Sequence, residues 1–123
     1  ALRRARERGR LRRGPVPPGF LGAWFIRQLE PPPRRGMRAP RAIVPSSALS
    51  AAEALRLFLD SQAAVRRLLE ESAALDLAVR FANPFVRGLR FRTAAGFRIV
   101  AAHDRRHLWQ ARRVLESPGF PAR

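Results

Sequence analysis

Eight of the eleven prolines of this chain fall between Pro15 and Pro45, and no other feature restricts its fold as strongly. Each proline lacks a backbone donor and pushes the residue before it out of helical geometry. The stretch holding Pro15, Pro17, Pro18, the run Pro31-Pro32-Pro33, Pro40 and Pro45 therefore admits no long helix. A short helical piece around Leu21 to Leu29 fits, with Phe20, Trp24, Phe25 and Ile26 as apolar anchors. Connections of this length inside a compact domain are uncommon and join elements at opposite ends of a bundle. The chain thus divides into three parts. Residues 1–13 are a basic arm or the tail of an upstream helix, 14–49 are a Pro-rich crossover, and 50–123 are a helical hairpin.

The first helix of that hairpin is announced by Ser50-Ala-Ala-Glu53, a capping box in which the two side chains satisfy exposed backbone donors reciprocally. Behind it Leu55, Phe58, Gln62, Val65 and Leu69 recur at helical spacing, with Leu59 and Leu68 widening the stripe. The spacing predicts helix from about Ala51 to Ser72. The pattern then breaks at Asn83-Pro84 and Gly88, giving a loop with extended pieces. Thr93 is placed to cap a second helix that runs to about Glu116, where Ser117-Pro118-Gly119 stops it. Two helices of this size rarely bury enough apolar surface to stand alone. The expected fold is all-α, a partial four-helix bundle completed by a partner subunit or by upstream residues.

The second helix carries His103 and His107, the only histidines of the chain. Four residues apart on a helix, both rings lie on one face, one turn from each other. That face also carries Val100, Ala111 and Val114, so the reading places the rings toward a core. A divalent metal such as zinc, nickel or iron(II) satisfies two adjacent imidazoles, since each neutral ring nitrogen is a good ligand. Gln110, one turn beyond His107, borders the face and is a pocket-lining candidate. Asp104 points about a hundred degrees away and is expected to pair at the surface with Arg105, Arg106 or Arg112.

Composition bounds the alternatives. The formal charge of +16 points to nucleic acid or an acidic surface, and seven arginines lie in the first thirteen residues. Yet all 25 basic residues are arginine, and alanine, proline and glycine are plentiful, the usage of a GC-rich genome. The aromatics do not alternate with the basic residues as a base-stacking platform requires, so nucleic acid is not the expected partner. Absence of cysteine removes disulfides, thiolate ligands and cysteine nucleophiles, and it fits a reducing cytoplasm. No apolar run reaches the roughly 18 residues of a membrane helix. No apolar core or cleavage site follows the basic start, so no signal peptide is read. The chain opens on Ala1, which fits initiator removal and equally a missing upstream segment.

The segment Met37-Arg-Ala-Pro-Arg-Ala-Ile-Val-Pro45, the capped helix after it, the loop Asn83-Pro-Phe-Val-Arg-Gly-Leu89 and His103-Asp-Arg-Arg-His-Leu-Trp-Gln110 together resemble the DinB-like family over about residues 37–116. That resemblance implies a four-helix bundle and a divalent metal held by three histidines. It implies also the chemistry of the superfamily, which includes transferases and isomerases dependent on low-molecular-weight thiols. His103 and His107 match the two metal ligands of the last helix. The third ligand belongs to a helix before the crossover, and this chain has no histidine there; Asn83 stands where a loop histidine is often found. The chain thus resembles the C-terminal portion of such a protein, with the first helices absent.

The expectation is a DinB-like metal-dependent protein of thiol-dependent transferase, isomerase or hydrolase type. Its divalent metal (Zn, Ni or Fe) would be weakly held or absent, and the isolated chain would lack robust turnover. A homodimer is the expected assembly. The other readings are an arginine-rich nucleic-acid-binding protein using residues 3–13 and a non-catalytic helical dimerisation remnant.

Overall fold

A computed structural model describes residues 1–33, 49–83 and 86–121. It is mostly helical, with one small hairpin: α1 (Leu2–Glu7), α2 (Gly19–Leu29), α3 (Ala51–Ser72), β1 (Arg80–Ala82), β2 (Arg90–Arg92) and α4 (Thr93–Leu115). The Met37–Pro45 part of the crossover and Pro84 and Phe85 of the loop lie outside the described residues. The capping box forms as expected. Ser50 Oγ accepts from the Glu53 amide at 3.3 Å, and the Glu53 carboxylate accepts from the Ser50 amide at 2.9 Å.

The extended pieces expected between Ala73 and Arg92 form as β1 and β2. The strands pair antiparallel with Phe81 opposite Phe91 and Arg80 opposite Arg92. Phe91 is buried and stacks on Phe25 of α2, ring centroids 5.5 Å apart, and on Phe81 at 6.3 Å. The basic segment joins this base: Leu11 bridges Leu75, and Arg10 pairs with Asp76 at 2.6 Å. Thr93 is the first residue of α4 rather than its cap. Its hydroxyl donates to the Val79 carbonyl at 2.9 Å, tying the helix start to the chain entering β1.

The principal helix contact is α2 along α4. On α2 the stripe Gly22, Phe25, Ile26 and Leu29, spaced at i, i+3, i+4 and i+7, turns inward. Phe20 and Trp24, expected as anchors, sit off this stripe; Phe20 is 91 % exposed and Trp24 50 %. On α4 the matching stripe is Ala95, Ile99, Ala102 and Arg106. Small residues let the backbones approach closely: a Cβ added to Gly22 would lie 2.7 Å from that of Ala95. By contrast α3 has no extensive contact with another element among the described residues. Its stripe stays open, with Leu55, Phe58, Leu59, Leu68 and Leu69 all exposed.

The end of α2 is clamped from α4. Arg106, only 6 % exposed, donates to the Gln28 carbonyl at 3.3 Å, and Arg105 grips both carboxylate oxygens of Glu30. Cations placed here meet the orphan carbonyls and negative dipole end of a helix.

Two expectations follow. Gly22→Ala should destabilise the protein by about 1–3 kcal/mol through overpacking, although alanine is the better helix former by about 1 kcal/mol. Adding Ala95→Gly should relieve the clash, so the double variant loses less than the sum in urea unfolding; additive losses would show that the crossing is not tight. The Arg105 hydrogen bond holds the Glu30 carboxyl below its ordinary 4.5. A depressed folded value means that this stabilisation is present above the unfolded value and is lost as pH falls through the folded one. Glu30→Gln should therefore flatten the stability profile below about pH 4.5, measured by thermal melts across pH 3–6.

Candidate metal centre

The two imidazoles meet as the helical spacing requires. Their Nε2 atoms are 2.9 Å apart, and the rings stand edge to face at 89° with centroids 4.4 Å apart. On its other side His107 Nδ1 lies 2.9 Å from Gln110 Oε1. With Gln110 Oε1 as acceptor, the contact selects the tautomer in which His107 carries its proton on Nδ1. In that tautomer His107 Nε2 is a lone pair that accepts from His103 Nε2–H. Gln110 thus sets the tautomer in which His107 presents Nε2 as a ligand. Part of the His103 ring is buried, which disfavours its imidazolium and pushes its pKa below the ordinary 6.5; the neighbouring His107 adds to the shift. A neutral ring is the form that binds a metal.

The pair does not face the core. His103, His107, Ala111 and Val114 are all exposed, and Val100 is half-buried. The reason lies on the adjacent arc of α4. The approach of Ala95 to Gly22, the buried Ala102 and the Arg105–Arg106 clamp take the buried face, and they fix the helix rotation that turns the histidines outward. The sequence reading missed Arg105 and Arg106, because an Arg-Arg pair beside an acidic residue reads as solvated surface. Asp104, expected to pair with one of them, makes no ion pair among the described residues. The signal that could have found the clamp was the spacing Ala95-Ile99-Ala102-Arg106, a second stripe parallel to the histidine one.

With the His103 proton moved from Nε2 to Nδ1, the donor set fits half of a metal site. Nitrogens bound about 2.0–2.1 Å from one ion stand about 2.9–3.3 Å apart at cis-octahedral or tetrahedral angles. The observed 2.9 Å separation falls at the edge of that range. Yet no group of three or more His, Cys, Asp or Glu side chains gathers anywhere among the described residues. No helix among them is long and apolar enough to cross a membrane.

A sequence model of the DinB superfamily matches residues 1–111. The chain belongs to the DinB superfamily, and the match takes in the basic segment and crossover as well as the motif-bearing part. No curated protein and no solved structure matches it.

The hydrogen-bond pattern makes a direct prediction. In metal-free protein at neutral pH, nitrogen-15 spectra should show His107 as the Nδ1–H tautomer. Gln110→Ala should return it toward the Nε2–H form that dominates in an unconstrained histidine side chain; an unchanged tautomer would exclude Gln110 from this role.

Proposed function

We propose that this DinB superfamily member is a metal-dependent protein in which His103 and His107 supply two nitrogens to a divalent cation. The observation that carries this reading is the convergence of the two Nε2 atoms at 2.9 Å. Family membership supports it, since the superfamily is metal-associated. A bound divalent ion in an open site acts as a Lewis acid and lowers the pKa of a coordinated thiol or water. The reaction class proposed is accordingly thiol-dependent transfer or isomerisation, or hydrolysis. Within this chain the roles divide simply. His103 and His107 hold, Gln110 orients His107 through Nδ1, and the Arg105–Arg106 clamp sets the rotation of α4. The cysteine-free composition suits a reducing cytoplasm, the compartment this reading assigns.

Two donors give a weak and poorly selective site, so zinc, nickel and iron(II) all remain candidates and turnover by this chain alone is expected to be slight. We infer also that the chain associates with a second copy. The support is apolar surface: Leu55, Phe58, Leu59, Leu69, Leu108 and Leu115 are each at least 45 % exposed, more than a monomer's surface ordinarily gathers on two helices. Leu55→Asp or Val65→Asp should convert a dimer to monomer in sedimentation experiments, and a monomeric parent protein would remove this part of the reading.

Metal content measured by plasma mass spectrometry tests the central proposal. The parent protein should take up zinc or nickel in chelator-sensitive form, and the His103→Ala, His107→Ala double variant should take up none. Gln110→Ala should weaken the affinity by about ten- to a hundredfold, the usual cost of losing a group that orients a ligand. Metal no higher in the parent than in the double variant would sink the metal-dependent reading.

A further inference from the structure

The fold gathers arginines that the sequence disperses. A cavity of 540 Å³ opens between the N-terminal segment and the hairpin, lined by Arg3, Arg4, Arg8, Arg10, Arg80 and Arg90 over a floor that includes Ala5 and Phe81. No acidic side chain lines it. Two of the six guanidiniums are compensated from outside, Arg3 by Glu7 at 3.7 Å and Arg10 by Asp76 at 2.6 Å. Arg4, Arg8, Arg80 and Arg90 make no ion pair among the described residues.

Three separate stretches of chain therefore line one concavity with like charges. Such an arrangement costs Coulomb energy that an anion would recover. The strands show the same strain in their register. Arg80 faces Arg92 directly across the hairpin, and like charges at opposed positions are destabilising. Arg92 turns to the Pro17 carbonyl, 3.1 Å away, and Arg80 lines both this cavity and the neighbouring one beside α2. Guanidinium forks match phosphate and carboxylate oxygens in bidentate fashion. The volume falls within the range of small-molecule pockets, about 300–1,000 Å³. A duplex backbone needs instead a charged stripe along an open surface.

We propose that this cleft is a binding site for a compact, multiply charged anion, a small molecule carrying two or more phosphate or carboxylate groups. It is distinct from the histidine pair. The cleft lies where β2 leads into α4, and His103 is ten residues further along that helix, about 15 Å at the helical rise.

Calorimetric titration of the 123-residue protein at low salt tests the assignment, with pyrophosphate and citrate as probes. Either should bind saturably at one per chain, and the tighter of the two identifies the anionic group preferred. Arg4→Gln with Arg90→Gln should weaken binding about tenfold or more, since each removes a charged partner. The control Arg67→Gln with Arg112→Gln removes the same net charge from helix surfaces and should change affinity less than about twofold. Circular dichroism of each variant reports whether it has folded, and His103→Ala, His107→Ala should bind the probes as the parent does. Equal weakening in both arginine pairs, or no saturable binding of either probe, would overturn the site. So would a DNA duplex that outcompetes both probes and is weakened alike by the two pairs, because the chain would then be a diffuse polyanion binder.

Discussion

At the crossing of α2 and α4, Gly22 sits so near Ala95 that a methyl group on its Cα would lie 2.7 Å from the alanine's own. Everything else in the described structure is arranged around that approach. It brings Phe25 onto Phe91, which anchors the hairpin at 5.5 Å, and it sets the end of α2 within reach of Arg105 and Arg106. Because both helices spend their small residues on this contact, the rotation of α4 is decided before the histidines are considered. The pair then falls on the next arc of the helix, toward solvent. The display of the histidine pair at the surface is thus a consequence of backbone packing, and no property of the imidazoles themselves enters.

Much of this was legible in the residues, and the parts that were not share a cause. Ser50 and Glu53 gave the start of α3, because a capping box is a local interaction that four residues complete among themselves. The relation of His103 to His107 was equally local, one helical turn, and the rings meet as that spacing requires. Which face of α4 is buried is a tertiary question. Two stripes run along that helix, and the one containing valines and histidines carries the bulkier side chains. The stripe with Arg106 wins because Ala95 and Ala102 are smaller and permit closer backbone approach. The hairpin was missed for a related reason. Arg80-Phe-Ala and Arg90-Phe-Arg are three-residue strands with arginine at their ends, and their only strong strand signal is Phe81 and Phe91 meeting across the pair.

The same locality explains the charge. An arginine total of 25 reads as background when the residues are dispersed, and dispersal in sequence was the reason to discount it. Folding changes the neighbourhood without changing the composition. Pairing of Leu11 with Leu75 brings the N-terminal segment against residues 74–76, and β1 and β2 follow directly. Arginines 70 or more residues apart then share one concavity. Net charge carries no information about such convergence; only the strand register and the bridge between the two segments do.

Exposure of α3 completes the argument. A helix of 22 residues with a capping box at one end and an apolar stripe along its length is built to be covered. Its leucines and Phe58 stay largely exposed, whereas α2, shorter by half, is held by packing, an ion pair and a backbone cap. Whatever covers α3 must therefore supply apolar surface of comparable length. The His103–His107 arc lies on the side of α4 that α2 leaves open, beyond the groove where Val65 and Leu68 of α3 approach Phe97 and Val100. An element that fills that groove would run beside the histidines as well.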